Sequence, residues 1–237
     1  MLLYLIRHGE PDYVTDTLTE EGWKQARLVS ARLIESGLDE IHSSPMGRAR
    51  QTAQPTAEKL GLPVIVEPWA YELGHECLTT YPDGKPKLPS TLPTEYLHQP
   101  AFRKLDSLEG IRQIPGLNDS QLADRFEMIS TGTDAMLEKL GFRRNEDGTY
   151  DVIAPSDRHI ALFCHAGMMR VILAHLLNLP FHLLEASTMC HYTGITILRF
   201  KGGSERTSPV LFSYADTGHL YGQDSGPLIH YSSKKPY

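Results

Sequence analysis

The chain opens on five consecutive apolar residues, Leu2 to Ile6, and the run stops at Arg7-His8. Such a run has no polar alternation, the pattern of a strand buried on both faces. From Thr19 to Ser36 the spacing changes to that of a helix, with Ala26, Val29, Leu33 and Ile34 on one stripe. Thr19 suits the N-cap, Glu20 and Glu21 the first turn, and Gly37 the stop. Leu38 to His42 reads as a short strand. Ser43-Ser44-Pro45 then leads into a second helix, with Ser44 as cap and Pro45 at its first position. That helix runs to Leu60 and ends at Gly61, and Pro63 to Glu67 is a third strand.

From about residue 74 to 157 the regular pattern gives way to proline, glycine and polar residues. Pro82-Asp83-Gly84 and Asn145-Glu146-Asp147-Gly148 are turn signals, and one helix stands out at about Asp119 to Leu140. Regular patterning resumes with a buried strand, His159 to Cys164, and an apolar helix, Gly167 to Leu177. Gly194 to Phe200 and Val210 to Tyr214 read as a closing pair of strands. The tail after Gly222 has no clear pattern. Alternating strands and helices predict an α/β fold, three-layer α/β/α with a mainly parallel central sheet. The expectation is one domain over 1–237, with the segment at about 74–157 inserted as a cap.

Composition narrows the class. The 237 residues are 41% hydrophobic and 22% charged, ordinary for a globular protein. A formal charge of -6 and the lack of a basic block argue against nucleic acid as a partner. A strand beginning at Leu2 leaves no place for a leader, and no apolar run reaches membrane-span length. Cys77, Cys164 and Cys190 are too few and scattered for a disulfide framework or a zinc site. A cytoplasmic location is therefore expected. Oligomeric state is not readable.

The chemistry gathers at strand ends. The first strand delivers Arg7 and His8, the second leads to Arg48, and the strand from His159 delivers Cys164-His165-Ala166-Gly167. In a parallel sheet these ends share one edge, where ligands bind. Two helices begin there, so their free N–H groups are expected in the same crevice. Two arginines, two histidines and two helix N-termini suit a compact dianion such as phosphate.

These residues resemble the histidine phosphatase superfamily, the phosphoglycerate-mutase-like fold. Arg7-His8-Gly9-Glu10 matches its defining motif. Leu18-Thr19, Gly22 and Gln25-Ala26 match the helix that follows. Ser43-Ser44-Pro45, Arg48-Ala49 and Gln51-Thr52-Ala53 match the second motif. Glu67 to Leu73 matches the acid region, His165-Ala166-Gly167 the second histidine, and Asp216-Thr217 with His219-Leu220 the closing segment. The resemblance implies a phosphomonoester hydrolase that uses His8 as nucleophile and forms a phosphohistidine. It implies that Arg7, Arg48, His165 and Ala166 hold the phosphoryl group, and that Glu72, held neutral, serves as acid and base. No cofactor or metal is implied, and the substrate would be a small-molecule phosphomonoester. Glu76 and Glu10 are the competing carboxylates.

Two features depart from the pattern. Pro11 to Thr17 is short and lacks the tryptophan-asparagine pair, whose asparagine often contacts the phosphate. A mutase-type substrate pocket is not recognisable, which favours hydrolysis over phosphotransfer. Alternatives remain. One is a mutase-type phosphotransferase. Another is a cysteine-dependent phosphatase, since Cys164 to Arg170 fits C-x-x-G-x-x-R, though Phe163 and Val171 break that motif's flanks. A third is a non-catalytic phosphoryl-binding module. In the favoured reading Cys164 is core and Arg170 faces outward. Tyr71, Tyr81 and Tyr96 with Lys85, Lys87, Arg103, Lys104 and Arg112 are candidate cap residues, their cations expected on a solvated face. The other histidines show no metal spacing, and His75, His98 and His219 are expected at the surface.

Overall fold

The computed structural model describes residues 1–80, 86–89, 92–118 and 120–221. Its centre is a six-stranded sheet built from β1 (Leu2–Arg7), β2 (Glu40–Ser43), β3 (Val64–Val66), β4 (His159–Cys164), β5 (Ile195–Arg199) and β6 (Val210–Asp216). The order across the sheet is β6-β5-β1-β4-β2-β3. β1, β4, β2 and β3 run parallel, while β5 and β6 pair antiparallel at one edge. The mainly parallel sheet expected from the sequence is therefore present.

β1 explains the layering. Leu3 and Leu5 point to one face and Tyr4 and Ile6 to the other, as a two-residue period requires. Tyr4 and Ile6 pack with Val29 and Leu33 of α1 (Glu20–Leu33) and Ala53 and Ala57 of α2 (Gly47–Leu60). Leu3 and Leu5 share a core with Ile129 and Leu137 of α3 (Leu122–Lys139) and Ile172 of α4 (Ala166–Leu177). Leu3, Leu5 and Ile6 have no exposed surface. Each such side chain contributes about 1.5–3 kcal/mol by burial.

The segment 74–157 is thus not all peripheral. α3 forms part of the helical layer, and the strands Phe142–Arg144 and Tyr150–Val152 form a small sheet with Arg206–Thr207. The turn expected at Asn145 to Gly148 joins the first two of these, with Gly148 at φ 80°. Helix Ser107–Gln113 rests on α5 (Phe181–Ser187). Pro82-Asp83-Gly84, Tyr81, Lys85 and Asp119 lie outside the described residues.

Some boundaries differ from expectation for local reasons. Thr19 caps α1 as expected, accepting from the Gly22 N–H at 3.0 Å. α2 begins at Gly47, two residues after Pro45, where Asp16 takes the Gly47 N–H at 2.6 Å; the Ser44 hydroxyl accepts from the Met46 N–H at 3.2 Å and lies 2.7 Å from His165 Nε2. Arg170 does not face outward. It is 8% exposed, meets Glu185 at 3.4 Å, and donates to the Thr188 carbonyl at 2.8 Å. α4 is buried almost all round, so it has no solvent face for Arg170 to occupy. No helix among the described residues is long and apolar enough to cross a membrane.

Candidate active site

Register brings the two histidines together. Arg7 pairs with Cys164 in the β1–β4 ladder, and the His8 N–H donates to the Cys164 carbonyl at 3.0 Å. His8 and His165 therefore leave adjacent strand ends side by side, with ring centroids 5.2 Å apart. On the other side of β4, the Ser44 N–H donates to the Phe163 carbonyl at 2.9 Å, which sets the Ser44 hydroxyl beside His165 Nε2.

The tautomer of His8 follows from its partner. Nδ1 lies 2.7 Å from the Gly9 carbonyl, which can only accept. Nδ1 therefore carries the proton, and Nε2 of the neutral ring keeps its lone pair. Burial, with Arg7 and Arg48 close by, pushes the His8 pKa well below the usual imidazole value. His165 is shifted the same way by burial, then by His8 and the two arginines. Gly9 has a steric reason to be glycine, since a Cβ there would stand 2.7 Å from the Gly22 carbonyl oxygen. Its N–H donates to Thr52 Oγ1 at 2.9 Å, and that hydroxyl donates to the Arg48 carbonyl at 2.7 Å. Thr193, at φ 54°, points its N–H at the carbonyls of Arg7 and His8, 3.1 and 3.3 Å away.

Both arginines are held by one corner. Arg7 Nη1 donates to the Cys190 carbonyl at 2.5 Å, with its guanidinium 4.2 Å from the Tyr192 ring centre. Arg48 Nη1 donates to Asp16 Oδ1, also at 2.5 Å. Their Nε atoms are buried without an acceptor, and so is His165 Nδ1. An unpaired buried donor is costly, so it needs an explanation. The two Nε atoms are N–H donors, and His165 Nδ1 is a third where the Ser44 hydroxyl gives its proton to Nε2.

The helix N-termini are not free as expected. Glu72 Oε1 accepts from Met168 N at 2.8 Å and from Leu73 N at 2.9 Å, and Oε2 accepts from Gly167 N at 3.2 Å. At α2, Asp16 Oδ2 accepts from Gly47 N at 2.6 Å. Each helix start is already capped by a side-chain carboxyl group from a neighbouring loop. Of the first three N–H groups of α4, Glu72 takes those of Gly167 and Met168 and not that of Ala166. Glu72 stands against the residues that follow His165, while its rivals are engaged elsewhere. Glu76 pairs with Arg125 at 3.5 Å, and Glu10 accepts from Thr19 Oγ1 at 2.9 Å.

Sequence reasoning missed Asp16, Thr193 and Arg125. Arg125 of α3 donates to the Tyr71 and Glu72 carbonyls at 3.1 and 3.3 Å, fixing the backbone that carries Glu72. Among the described cap cations, Arg103 and Lys104 are exposed, and Arg112 pairs with Glu127 at 2.5 Å. Tyr71 is half-exposed, and the Tyr96 hydroxyl donates to the Pro115 carbonyl at 2.9 Å. His219, expected at the surface, is half-buried, and its Nε2 lies 2.9 Å from Thr193 Oγ1. Cys164 is fully buried, and burial raises its pKa well above that of a free thiol. With Gly167 and Met168 N–H bound to Glu72 and Arg170 bound to Glu185, the cysteine loop has no anion seat. Among the described residues no group of three or more potential ligands is placed to hold a metal ion.

A sequence model of the histidine phosphatase superfamily (branch 1) matches residues 3–85 and 142–210. The chain belongs to that superfamily. The stretch between the matched parts falls within the irregular segment, so this superfamily member diverges where its sequence pattern breaks. It is 29% identical over 189 residues to a probable phosphoglycerate mutase of Yersinia pestis, covering 76% of each chain. Its fold matches a phosphoserine phosphatase of Entamoeba histolytica, solved with 3-phosphoglyceric acid, at TM-score 0.60 and 24% identity, over 92% of this chain and 98% of that one. A mycobacterial glucosyl-3-phosphoglycerate phosphatase matches at TM-score 0.60 and 22% identity, over 91% and 99%.

Proposed function

We propose that the protein hydrolyses a small phosphomonoester through a phosphohistidine on His8. The observation that carries this reading is the trio of buried donors without acceptors, Arg7 Nε, Arg48 Nε and His165 Nδ1, beside a histidine whose Nε2 is unprotonated. Three donors match the three non-bridging oxygens of a phosphoryl group in flight. Nε2 forms the N–P bond as the P–O bond to the leaving group breaks. Glu72 gives its proton to the departing oxygen, then takes one from the water that cleaves the N–P bond and restores neutral His8. The two guanidiniums and the His165 N–H supply the stabilisation of negative charge that a metal supplies elsewhere. Small metabolites as substrates agree with the phosphoserine and glucosyl-3-phosphoglycerate phosphatases that share the fold.

The name of the Yersinia relative favours a second reading, phosphotransfer within phosphoglycerate. One experiment tests the first reading and a second separates the two. Wild type, His8→Ala and Cys164→Ser are assayed on an aryl phosphate without added metal, and the quenched protein is checked for acid-labile phosphate. Turnover and label are expected in wild type and Cys164→Ser and absent in His8→Ala. The reverse pattern would reject the assignment. With 3-phosphoglycerate, hydrolysis releases inorganic phosphate, whereas a mutase yields 2-phosphoglycerate.

A further inference from the structure

The residues after the Arg-His-Gly-Glu motif offer no asparagine to the phosphoryl group. A hairpin stands there instead, with Pro11–Asp12 paired to Thr17–Leu18. Its last loop residue, Asp16, has φ 53°, a left-handed conformation that aspartate tolerates better than most residues. The conformation sends one carboxylate oxygen to the Gly47 N–H at 2.6 Å and the other to Arg48 Nη1 at 2.5 Å. A Cβ on Gly47 would lie 2.2 Å from the Asp16 carbonyl oxygen, so hairpin and helix meet backbone to backbone.

A carboxylate on a phosphate-binding arginine can act in two ways. It can occupy the seat that phosphate needs, or it can hold the guanidinium in place for phosphate. The bonding separates these. Asp16 takes Nη1 and leaves Nε, which is buried and without an acceptor. Arg7 is held in the same manner by a different group: the Cys190 carbonyl takes Nη1, and Nε is again buried and unpaired. Two arginines far apart in sequence are gripped by the same corner, with the same atom left over. We propose that Asp16 is a positioning residue of the phosphoryl site, fixing Arg48 by Nη1 so that its Nε edge meets the substrate oxygens. This rests on reading the cradle as a phosphoryl site. Asp16 stays bonded when the site fills, because the phosphoryl group takes the other edge of the guanidinium.

The test measures inorganic phosphate binding by titration calorimetry, and kcat and KM on an aryl phosphate. The proteins are wild type, Asp16→Gly, Asp16→Asn, Arg48→Lys and the double variant Asp16→Gly/Arg48→Lys. Glycine accepts the left-handed backbone and removes the carboxylate. Phosphate affinity and kcat/KM are expected to fall roughly tenfold in Asp16→Gly, as for one charge-assisted hydrogen bond. Asparagine keeps one acceptor for Arg48 and should lose less. The Arg48→Lys background has no Nη1 corner to hold, so removing Asp16 there should change phosphate affinity little. Tighter phosphate binding in Asp16→Gly would overturn the proposal and make Asp16 a competitor. An equal loss in the Arg48→Lys background would also overturn it, leaving only a helix cap. A wild type that neither binds phosphate nor turns over ester defeats the phosphatase reading itself. A wild type that does both, with Asp16→Gly unchanged, defeats only the role of Asp16.

Discussion

Acidification should weaken this fold through His219. Its pKa is pushed from 6.5 to about 4, by burial first and then by Arg32, against the opposing pull of Asp216. The unfolded chain therefore binds a proton that the folded chain refuses between those values. Stability from this group is complete above about 6.5 and is lost as pH falls toward 4. At 1.36 kcal/mol per unit the whole effect is about 3.4 kcal/mol, and about 2 kcal/mol of it is gone between pH 7.5 and 5. Urea unfolding at those two pH values, on wild type and His219→Gln, isolates the contribution. Glutamine can still bond Thr193 Oγ1 but does not titrate. His8 and His165, also shifted down by burial, titrate in both proteins and cancel. Asp216, lowered to about 2 by its bond to Arg32, changes only below its ordinary value of 3.8, outside the window. Wild type should lose about 2 kcal/mol more than the variant. Equal losses in both would refute burial of a neutral His219 as a source of acid sensitivity.

Other outcomes follow from the same geometry. With the His8 pKa well below the usual imidazole value, the proposed neutral nucleophile puts the acid limb of kcat/KM below about pH 6.5, the unperturbed imidazole value; a pH–rate profile checks this. Arg125→Ala removes the donor to the Tyr71 and Glu72 carbonyls, and should lower kcat by about 10- to 100-fold while altering phosphate affinity little. Arg170→Met leaves Glu185 buried without this partner, and should cost about 3–5 kcal/mol in chemical denaturation. Gly132→Ala would drive a methyl to 2.3 Å from the Trp69 ring, and should lower the thermal midpoint with no direct effect on His8 chemistry.

Much of the framework was legible because it is written in local patterns. The strand His159–Cys164 agrees with its apolar run residue for residue, and Thr19 and Gly37 bracket the first helix and its last turn as their chemistry dictates. The gathering of Arg7, His8, Arg48 and His165 at one sheet edge was legible because Arg7 ends a strand and the other three follow strand ends. The parts that were not legible depend on pairing over distance. Nothing near Asp16 signals that it will cap a helix starting at Gly47, and nothing near Arg125 signals that it will clamp the backbone at Glu72. The occupied helix ends were missed for the same reason, since free N–H groups are a property of an isolated helix. Arg170 was a different error. The apolar composition of its helix already argued against any outward face.

The pairing of β1, β4 and β2 also bears on how the protein acquires its activity. His165 meets Ser44 across 121 residues of chain, and His8 takes its place only when β1 aligns with β4. Contacts between distant parts of a sequence form slowly, because loop closure precedes any gain in energy. A chain that has formed its helices but not the central strand pairing would not hold His8 beside His165. Recovery of turnover during refolding should therefore trail the recovery of helical signal, and coincide with burial of the central strands.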